Sequence, residues 1–539
     1  MEPELPKFNI MKMFLDPTLN KVNRINLYLS WFVIGILILI YYSIAPGSSY
    51  IQNMFSSDVM YLPAVFKDIF QDGYKFSDWN FNTAPYFFPD MVLFFILFAV
   101  AKSIPLALFL FAFCQFFLVL ILIQRLVRMI CPDCSHAIPA INNLLFTLFI
   151  LATIIPRSIS SFSYYLLTPG YHTGSFINTL LALLLSLTYL NKKQNKYLYF
   201  KGILSILAIL SDQLFLVLFP VPFTGSLLLQ KKEVRVKKLL ILSVVISSIV
   251  GWIIVKYAPY HSASMNIKLD YSFFSSVIPA MYASLKIFLK PFSLTSIIII
   301  LSIIIYVGNI IFLFIRVKLS YQQKLFHVYY ALLFPIVLFI PFITGLYKNR
   351  SCMYYIFVFY FSFIILCLIL SDFRAITKNK AVNYALLGIF LISIALGFIK
   401  FTPGKLVKGI SGFLRFEPTY VKCLDEVAEK EGLKFGITDY WYAKVIIIFS
   451  KKNLRVYSVY KSSLESYSGV ANRNWYYQTD YGRYNKPVYN FVIMNKEYNY
   501  PILLEIFGSV DTTIYCDGMV IFKTPEFIIN RQKRIELIK

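Results

Sequence analysis

Long apolar stretches separated by short basic segments fill residues 1–401 of the chain. The first stretch, Ile25 to Ala45, is too long for a signal-peptide core and lacks a small-x-small cleavage site, so it is predicted to be an uncleaved span. A helix that crosses the lipid hydrocarbon needs about 20 apolar residues. On this basis the pattern predicts about eleven spans, near residues 25–45, 104–124, 137–156, 173–190, 197–211, 212–229, 239–256, 292–315, 326–344, 353–371 and 382–400.

Clusters of lysine and arginine between the apolar stretches determine the predicted orientation. They lie within residues 7–24, 125–128, 192–196, 231–238, 316–324 and 374–380. Because positively charged loops stay in the cytoplasm, the N-terminus is predicted to be cytoplasmic and the C-terminal region extracytoplasmic. Pro89 to Ala101 is too short to cross and is predicted to be a half-inserted helix of a long first outer loop, residues 46–103. Tyr197 to Leu229 is predicted to form two short spans that meet near Asp212.

From residue 402 the pattern becomes that of a water-exposed α/β domain, residues 402–539. Its predicted elements are a helix at 420–430, strands at 435–437, 445–449 and 454–460, and a hairpin of 512–516 and 519–523 that turns at Asp517-Gly518. Cys423 and Cys516 can pair if this domain faces an oxidising compartment. The predicted fold class is therefore an α-helical polytopic membrane protein with a C-terminal extracytoplasmic α/β domain.

The amino-acid composition agrees with a membrane location and indicates which classes of binding partner to expect. The chain is 58% hydrophobic and only 15% charged, whereas soluble domains have about 25% charged residues. The net charge of +25 would suggest nucleic-acid binding in a soluble protein. Here most basic residues lie in short loops between apolar stretches, where they set topology and contact lipid headgroups. Membrane lipids are therefore expected partners, and nucleic acid is not.

The first outer loop contains the most informative polar residues. It holds five aspartates but only three lysines. Asp58 precedes a segment with one apolar face, Val59 to Ile69, which is predicted to lie flat on the membrane surface as a helix. A purely structural role is the alternative for both acids of interest: Ser56, Ser57 or Asp58 caps this helix, and Asp90 caps the half-inserted one.

An acid soon after the first span, amphipathic helices in a long first outer loop, about eleven spans and an outer C-terminal domain together resemble the GT-C superfamily of membrane glycosyltransferases. Its members include protein mannosyltransferases and the aminoarabinose transferases of lipid A. Asp58 matches the first-loop acid of that family. The segments Trp79 to Asp90 and Gly436 to Trp441 are similar to segments of bacterial membrane proteins of the same group.

The resemblance implies an enzyme that transfers a sugar from a polyprenyl-phosphate-linked donor to a glycan, lipid or protein acceptor on the outer face of the cell membrane. It implies Asp58 as the leading catalytic residue, and Asp90 is the second candidate. Val59 stands where many family members carry a second acid. The sequence therefore identifies no cofactor with certainty, and a requirement for a divalent metal ion is one alternative.

Further polar residues on the predicted outer side are candidates for substrate binding. Cationic side chains at headgroup depth would meet the phosphate of a lipid-linked donor. The candidates are Arg157, His172, Asp212, His261, Lys348 and Arg350. Each cation has an alternative role in contacting lipid headgroups, and Asp212 has an alternative role as a cap of the helix that follows it.

Two other function classes are alternatives. The first is a lipid or solute transporter or flippase, although the chain has no paired halves or internal repeat of the kind that transporters often show. The second is a non-catalytic envelope assembly protein whose C-terminal domain binds a partner.

Overall fold

The computed structural model describes most of the chain. The described residues are 21–47, 50–132, 141–143, 145–146, 161–230, 234–257, 261–262, 275, 279, 294–315, 319–343, 356–372, 384–385, 388–389, 392, 403–460, 463–467, 469–495, 500–508, 512–533 and 535–538.

Helices account for nearly all regular structure before residue 402. In chain order they are α1 (Lys21–Ile44), α2 (Tyr50–Met54), α3 (Tyr61–Phe70), α4 (Val92–Ala101), α5 (Ile104–Ile130), α6 (Ser161–Leu167), α7 (Thr173–Lys192), α8 (Lys196–Ser211), α9 (Leu214–Leu218), α10 (Pro220–Leu228), α11 (Val234–Tyr257), α12 (Leu294–Ile315), α13 (Tyr321–Ile343) and α14 (Ile356–Asp372). A short irregular turn of helix, Phe87–Met91, leads into α4.

Within the described residues, five helical segments are long and apolar enough to cross a membrane. They are Ile25–Ile44, Ile104–Ile130, Thr173–Lys192, Arg235–Tyr257 and Ser296–Ile315. These segments indicate a membrane protein. The full set of about eleven spans stays a prediction, and the expected spans at 137–156 and 382–400 lie mostly outside the described residues.

The structure describes the two segments that depart from the regular pattern of predicted spans, namely the stretch at 197–229 and the short apolar stretch at 89–101. The break near Asp212 is confirmed, because α8 ends at Ser211 and Asp212 is extended. The following stretch is not one continuous helix: α9 ends at Leu218, and α10 begins at Pro220. A residue that precedes proline is disfavoured in helical conformation, which explains the interruption at Phe219. Helix α4 has ten residues and is about 15 Å long, half of the hydrocarbon thickness.

The C-terminal region contains α15 (Pro403–Leu414), which packs against α1, and an α/β unit. The strands of the unit are β3 (Phe435–Thr438), β4 (Arg455–Ser458), β6 (Tyr489–Asn495), β7 (Thr512–Cys516), β8 (Met519–Ile529) and β9 (Ile535–Leu537), and its helices are α16 (Thr419–Glu431), α17 (Tyr440–Phe449) and α18 (Tyr500–Phe507). The sheet order is β4-β3-β6-β8-β7, with β9 beside β8. Strands β4, β3 and β6 are parallel, and the others pair antiparallel.

Most of the elements predicted for this domain are confirmed. The helix at 420–430, the strands near 435 and 455 and the hairpin with Asp517-Gly518 at its turn are all present. Cys423 and Cys516 form a disulfide that joins α16 to β7. The predicted strand at 445–449 is wrong, because these residues are the second half of α17. Periodicity cannot distinguish a short, fully apolar strand from a buried helix, and the parallel strands β3 and β4 need a crossover between them.

The loop of residues 46–103, which keeps the name first outer loop from its predicted orientation, docks on residues 402–539, the predicted C-terminal domain. Its strand β1 (Trp79–Phe81) pairs with β5 (Ala471–Asn472) of that domain on one side and with β2 (His261–Ser262) on the other. Helix α3 packs between α17 and α4. The apolar face of α3 therefore packs on protein and not on lipid: Val59 and Leu62 are buried, and Phe66 packs on aromatic rings of α4. The prediction that α3 lies flat on the membrane stays a prediction.

Candidate functional site

Asp58 lies in the turn before α3 and does not cap that helix. The N-cap position is occupied by Met60, which makes no side-chain cap bond. The turn is closed by the backbone N–H groups of Val59 and Met60, which donate to the Ser56 carbonyl at 3.0 and 2.9 Å. The capping alternative for Asp58 is therefore wrong. Its carboxylate Oδ1 instead accepts a hydrogen bond of 2.6 Å from the Tyr440 hydroxyl.

Tyr440 is positioned by the α/β fold of the C-terminal domain. It is the first residue of α17, directly after the carboxyl end of β3, and Asp439 caps the helix by accepting from the Trp441 N–H at 2.8 Å. Ser57 Oγ donates to the Tyr440 carbonyl, which ties the same residue to the first outer loop. Burial, followed by the charge of Asp58, raises the pKa of Tyr440 well above its usual range. The phenol therefore stays protonated and acts as the donor to Asp58.

Lys444 lies one helical turn beyond Tyr440 and places a buried amine near the same carboxylate. Its Nζ is 3.9 Å from the centre of the Tyr440 ring, and the residue is 1% exposed. Among the described residues its Nζ has no hydrogen-bond partner. Burial lowers the pKa of Lys444 to about 7, and the charge of Asp58 opposes this shift. Lys444 can therefore gain or lose a proton near neutral pH.

Asp58 borders a cavity of about 80 Å³ at the junction of three parts of the chain. Its walls come from the first outer loop, the turn before α7 and the C-terminal domain. The lining residues are Asp58, Tyr61, Asn82, Tyr86, Gly170, Tyr171, Tyr440 and Val470. This volume corresponds to about two or three water molecules, so the cavity holds a small polar group and not a whole sugar.

Asp90 and the backbone of Asp58 both lie close to Gly170. The Gly170 N–H donates to Asp90 Oδ1 at 3.3 Å, and a Cβ built on Gly170 would lie 4.0 Å from the Asp58 carbonyl oxygen. Asp90 is 1% exposed, and within the described part of the chain its Oδ2 has no hydrogen-bond partner. Burial raises the pKa of Asp90 to about 7. The capping alternative is wrong here too, because α4 has Met91 at its N-cap and no side-chain cap bond.

The close approach of Asp90 to α7 requires glycine at position 174. A Cβ at this position would lie 1.9 Å from Asp90 Oδ2 and 2.9 Å from Pro89. Any larger residue would displace the carboxylate. Asp90 is thus held against the first turn of α7, where backbone N–H groups favour negative charge.

Asp212 joins the start of α7 to the start of α9. Its Oδ2 lies 2.7 Å from His172 Nδ1 and accepts from Ser175 Oγ at 2.6 Å. Its Oδ1 accepts from the Leu214 N–H at 3.0 Å, so the expected capping role of Asp212 is confirmed. His172 is buried and paired with Asp212. This geometry supports a role in fixing the turn at 168–172 between the two candidate carboxylates.

The structure thus brings four of the predicted site residues to one turn, residues 168–172: Asp58, Asp90, His172 and Asp212. Arg157, Lys348 and Arg350 lie outside the described residues, and of His261 only the backbone is described, paired with Asn80. Substrate-binding roles for these residues stay predictions. In the part of the chain that the structure describes, no group of three or more His, Cys, Asp or Glu side chains is arranged to hold a metal ion.

Tyr440 and Lys444 are the site residues that sequence reasoning missed. They follow Asp58 by more than 380 residues. One signal was present: Asp439 and Tyr440 follow a predicted strand, and ligand-binding residues gather at the carboxyl ends of parallel strands. The prediction of a strand at 445–449 hides this signal, because it leaves no helical crossover between two parallel strands.

No protein-family model matches the chain, and comparison with curated proteins gives no match. The function must therefore be argued from the geometry of the site.

Proposed function

We propose that this protein is a membrane glycosyltransferase that moves a sugar from a polyprenyl-phosphate-linked donor to a glycan, glycolipid or protein acceptor on the outer face of the membrane. The observation that carries the proposal is the state of Asp58. Its carboxylate is half-buried, borders a cavity, does not cap its helix and is held by a neutral phenol. A carboxylate arranged in this way is free to accept a proton from a substrate hydroxyl.

The reaction needs one base and one leaving phosphate. The acceptor O–H transfers its proton to Asp58 while the acceptor oxygen forms a bond to the anomeric carbon of the sugar. The bond from that carbon to the phosphate oxygen breaks, and the lipid phosphate leaves with the electron pair. Tyr440 orients Asp58, and Lys444 supplies positive charge near the departing phosphate when it is protonated.

Asp90 is the second carboxyl group that the proposal uses. A catalytic acid or base works best with a pKa near the working pH, and burial brings the pKa of Asp90 to about 7. Within the described residues its Oδ2 makes no hydrogen bond, so this oxygen has no donor that holds it in the ionised state. Asp90 is the alternative general base of this proposal. An Asp90→Asn variant tests it if Asp58→Asn keeps the wild-type rate.

The proposed location is the cell membrane, with the C-terminal domain on the extracytoplasmic side. The five apolar helical segments support insertion in the membrane, and the disulfide between Cys423 and Cys516 supports an oxidising environment for the C-terminal domain. Cysteine substitutions at the exposed positions Gln71 and Lys451 test the orientation. A membrane-impermeant maleimide should label both in intact cells, and labelling of only one would overturn the proposed arrangement.

The activity is tested with purified full-length protein in nanodiscs, a panel of radiolabelled polyprenyl-phosphate sugars, and a cell-envelope extract that supplies glycan, glycolipid and protein acceptors. We expect wild type to consume one donor and Asp58→Asn to consume it far more slowly. Asp480→Asn is the matched control, because Asp480 is an exposed carboxylate of the C-terminal domain outside the site. Equal rates for wild type and Asp58→Asn would exclude Asp58 as the base, and no consumption of any donor would contradict the proposed function.

A further inference from the structure

An open cleft of about 740 Å³ lies in the C-terminal domain, away from Asp58. It is bounded by the end of α16, the start of β3, the turn before β4 and the loop at 483–486. These elements lie at the amino ends of β3 and β4, whereas Tyr440 follows the carboxyl end of β3. A strand of four residues separates the two ends by about 13 Å. The cleft is therefore distinct from the cavity at Asp58.

The cleft carries a strong excess of positive charge. Its charged lining residues are Glu429, Lys434, Lys452, Arg483 and Lys486. Glu429 is already paired with Lys452 at 2.8 Å. Within the described residues no carboxylate pairs with Lys434, Arg483 or Lys486, and all three side chains are exposed. Three cations thus line one open cleft, and the described part of the chain provides no carboxylate that pairs with them.

The loop that carries two of these cations is anchored to the first outer loop. The Arg483 N–H donates to the Asp72 carbonyl at 2.7 Å, and Tyr484 packs against the buried Arg455 guanidinium, 3.7 Å from its ring centre. Anchoring reduces the entropy that is lost when a ligand fixes the loop. The two cations of this loop, Arg483 and Lys486, are therefore carried by an anchored backbone segment.

Size and polarity favour one class of ligand. Ligand clefts commonly measure about 300–1,000 Å³, so this one accommodates several sugar units and is much larger than a single phosphate ion. Asn453 and Asn485 also line it, and their amides can donate to and accept from sugar hydroxyls. Lysine and arginine side chains form strong charge-assisted bonds with phosphate oxygens.

We propose that this cleft binds a phosphate-bearing glycan chain through Lys434, Arg483 and Lys486. Binding at this site is independent of the chemistry at Asp58. If the proposed glycosyltransferase function holds, the cleft anchors part of a polymeric acceptor while another part reaches the cavity.

The test uses full-length protein in an uncharged detergent and a fluorescently labelled phosphorylated dextran oligomer of about six units, followed by anisotropy. Wild type should bind this probe and should bind the unphosphorylated oligomer at least tenfold more weakly. The variant Lys434→Gln/Arg483→Gln/Lys486→Gln should lose affinity at least tenfold. Added salt should weaken wild-type binding, because the screening length shortens from about 10 Å at 0.1 M to about 3 Å at 1 M.

Matched controls separate a built cleft from general charge attraction. The variant Lys405→Gln/Lys408→Gln/Lys422→Gln removes the same number of exposed cations elsewhere in residues 402–539 and should bind like wild type. Asp58→Asn should also bind like wild type, so a failed transferase assay leaves this result intact. The inference is overturned if both triple variants lose affinity equally, if the neutral oligomer binds equally well, or if vesicles of phosphatidylglycerol displace the probe while free phosphorylated dextran does not.

Discussion

Asp58 and Asp72 lie in the same outer loop, and both contact the C-terminal domain, yet the two carboxylates are held in opposite ways. Asp72 accepts from Arg455 Nη2 at 2.7 Å, and both side chains are only 1% exposed. Asp58 is half-buried, accepts from the neutral Tyr440 hydroxyl and borders a cavity. Asp72 forms a buried ion pair with Arg455. The Asp58 carboxylate is held by a hydrogen bond and, among the described residues, forms no ion pair.

The difference separates a structural carboxylate from a candidate catalytic one. Around Asp72, further bonds join the loop to the domain: Asp68 Oδ2 accepts from Asn472 and Trp475, and Lys67 donates to the Ile447 carbonyl. These contacts fix the loop on the domain. Asp58 belongs to the same loop and borders the cavity. One of its carboxylate oxygens can then bind a substrate, because the contacts around Asp72 hold the loop in place.

The largest expected effect is on activity at Asp58. Asp58→Asn and Asp58→Ser remove the base, and loss of general base catalysis costs about 10²–10⁴ in rate. Because Asp58 does not cap α3 and forms no ion pair within the described residues, the thermal unfolding midpoint should stay close to that of wild type. Donor consumption and a melting curve on the same samples check both points. A variant that keeps its rate but melts early would place Asp58 with Asp72 as a structural group.

The opposite result is expected at the Asp72–Arg455 pair. Arg455→Met leaves a buried carboxylate without its cation, which costs about 3–5 kcal/mol of stability. The double variant Asp72→Leu/Arg455→Met removes both charges and should recover much of this loss. Thermal unfolding of the single and double variants measures the coupling. If the double variant is as unstable as the single one, the damage comes from packing and not from the unpaired charge.

A smaller effect is expected for Tyr440→Phe, which deletes only the hydroxyl that donates to Asp58. A hydrogen bond to a charged group contributes about 1.5–3 kcal/mol, so the transfer rate should fall about 10- to 100-fold. The Tyr481→Phe variant is the matched control, since its hydroxyl donates to Asp78 in the same loop at 2.7 Å, outside the cavity. Equal losses of activity would show that loop anchoring, and not orientation of Asp58, is what Tyr440 provides.

The last prediction concerns the pH dependence of stability and Asp68. Burial raises the pKa of Asp68 to about 7 in the folded protein, whereas an unfolded aspartate titrates at about 3.9. Between these values the folded state binds a proton that the unfolded state lacks, so the Asp68 contribution to stability is lost as pH rises from about 4 to about 7. Asp68→Asn should therefore gain stability over wild type across this range and level off above it. A difference in melting temperature that does not change with pH would contradict the raised pKa.

Several features of the fold followed from local pattern because their causes are local. The hairpin at 512–523 needs two residues with positive φ, and Asp517 and Gly518 both have it. The helix at 420–430 follows from apolar spacing over three turns. In contrast, the apolar pattern at 445–449 is equally compatible with a buried strand and with a buried helix. Only the parallel pairing of β3 with β4 made it a helix.

The candidate site shows the same division between local and distant causes. The family resemblance singled out Asp58, and position on the predicted outer side singled out Asp90, His172 and Asp212. An acid between two short spans, such as Asp212, is costly unless it faces water or a partner. Whether each acid caps a helix or faces a cavity depends on which donors reach it. For Asp212 the donors include a backbone N–H two residues away, and the capping prediction was correct. For Asp58 the donor lies 382 residues along the chain, and no local pattern identifies it.

The sequence by itself determined that the protein has several apolar helices, a long acidic loop after the first of them and a C-terminal α/β region, since burial of apolar side chains follows residue type and spacing. The tertiary structure decided which carboxylates became structural and which stayed available. That outcome depends on hydrogen bonds and ion pairs between distant segments, and it was fixed when the first outer loop docked on the C-terminal domain, pairing Asp72 with Arg455 and leaving Asp58 with a phenol.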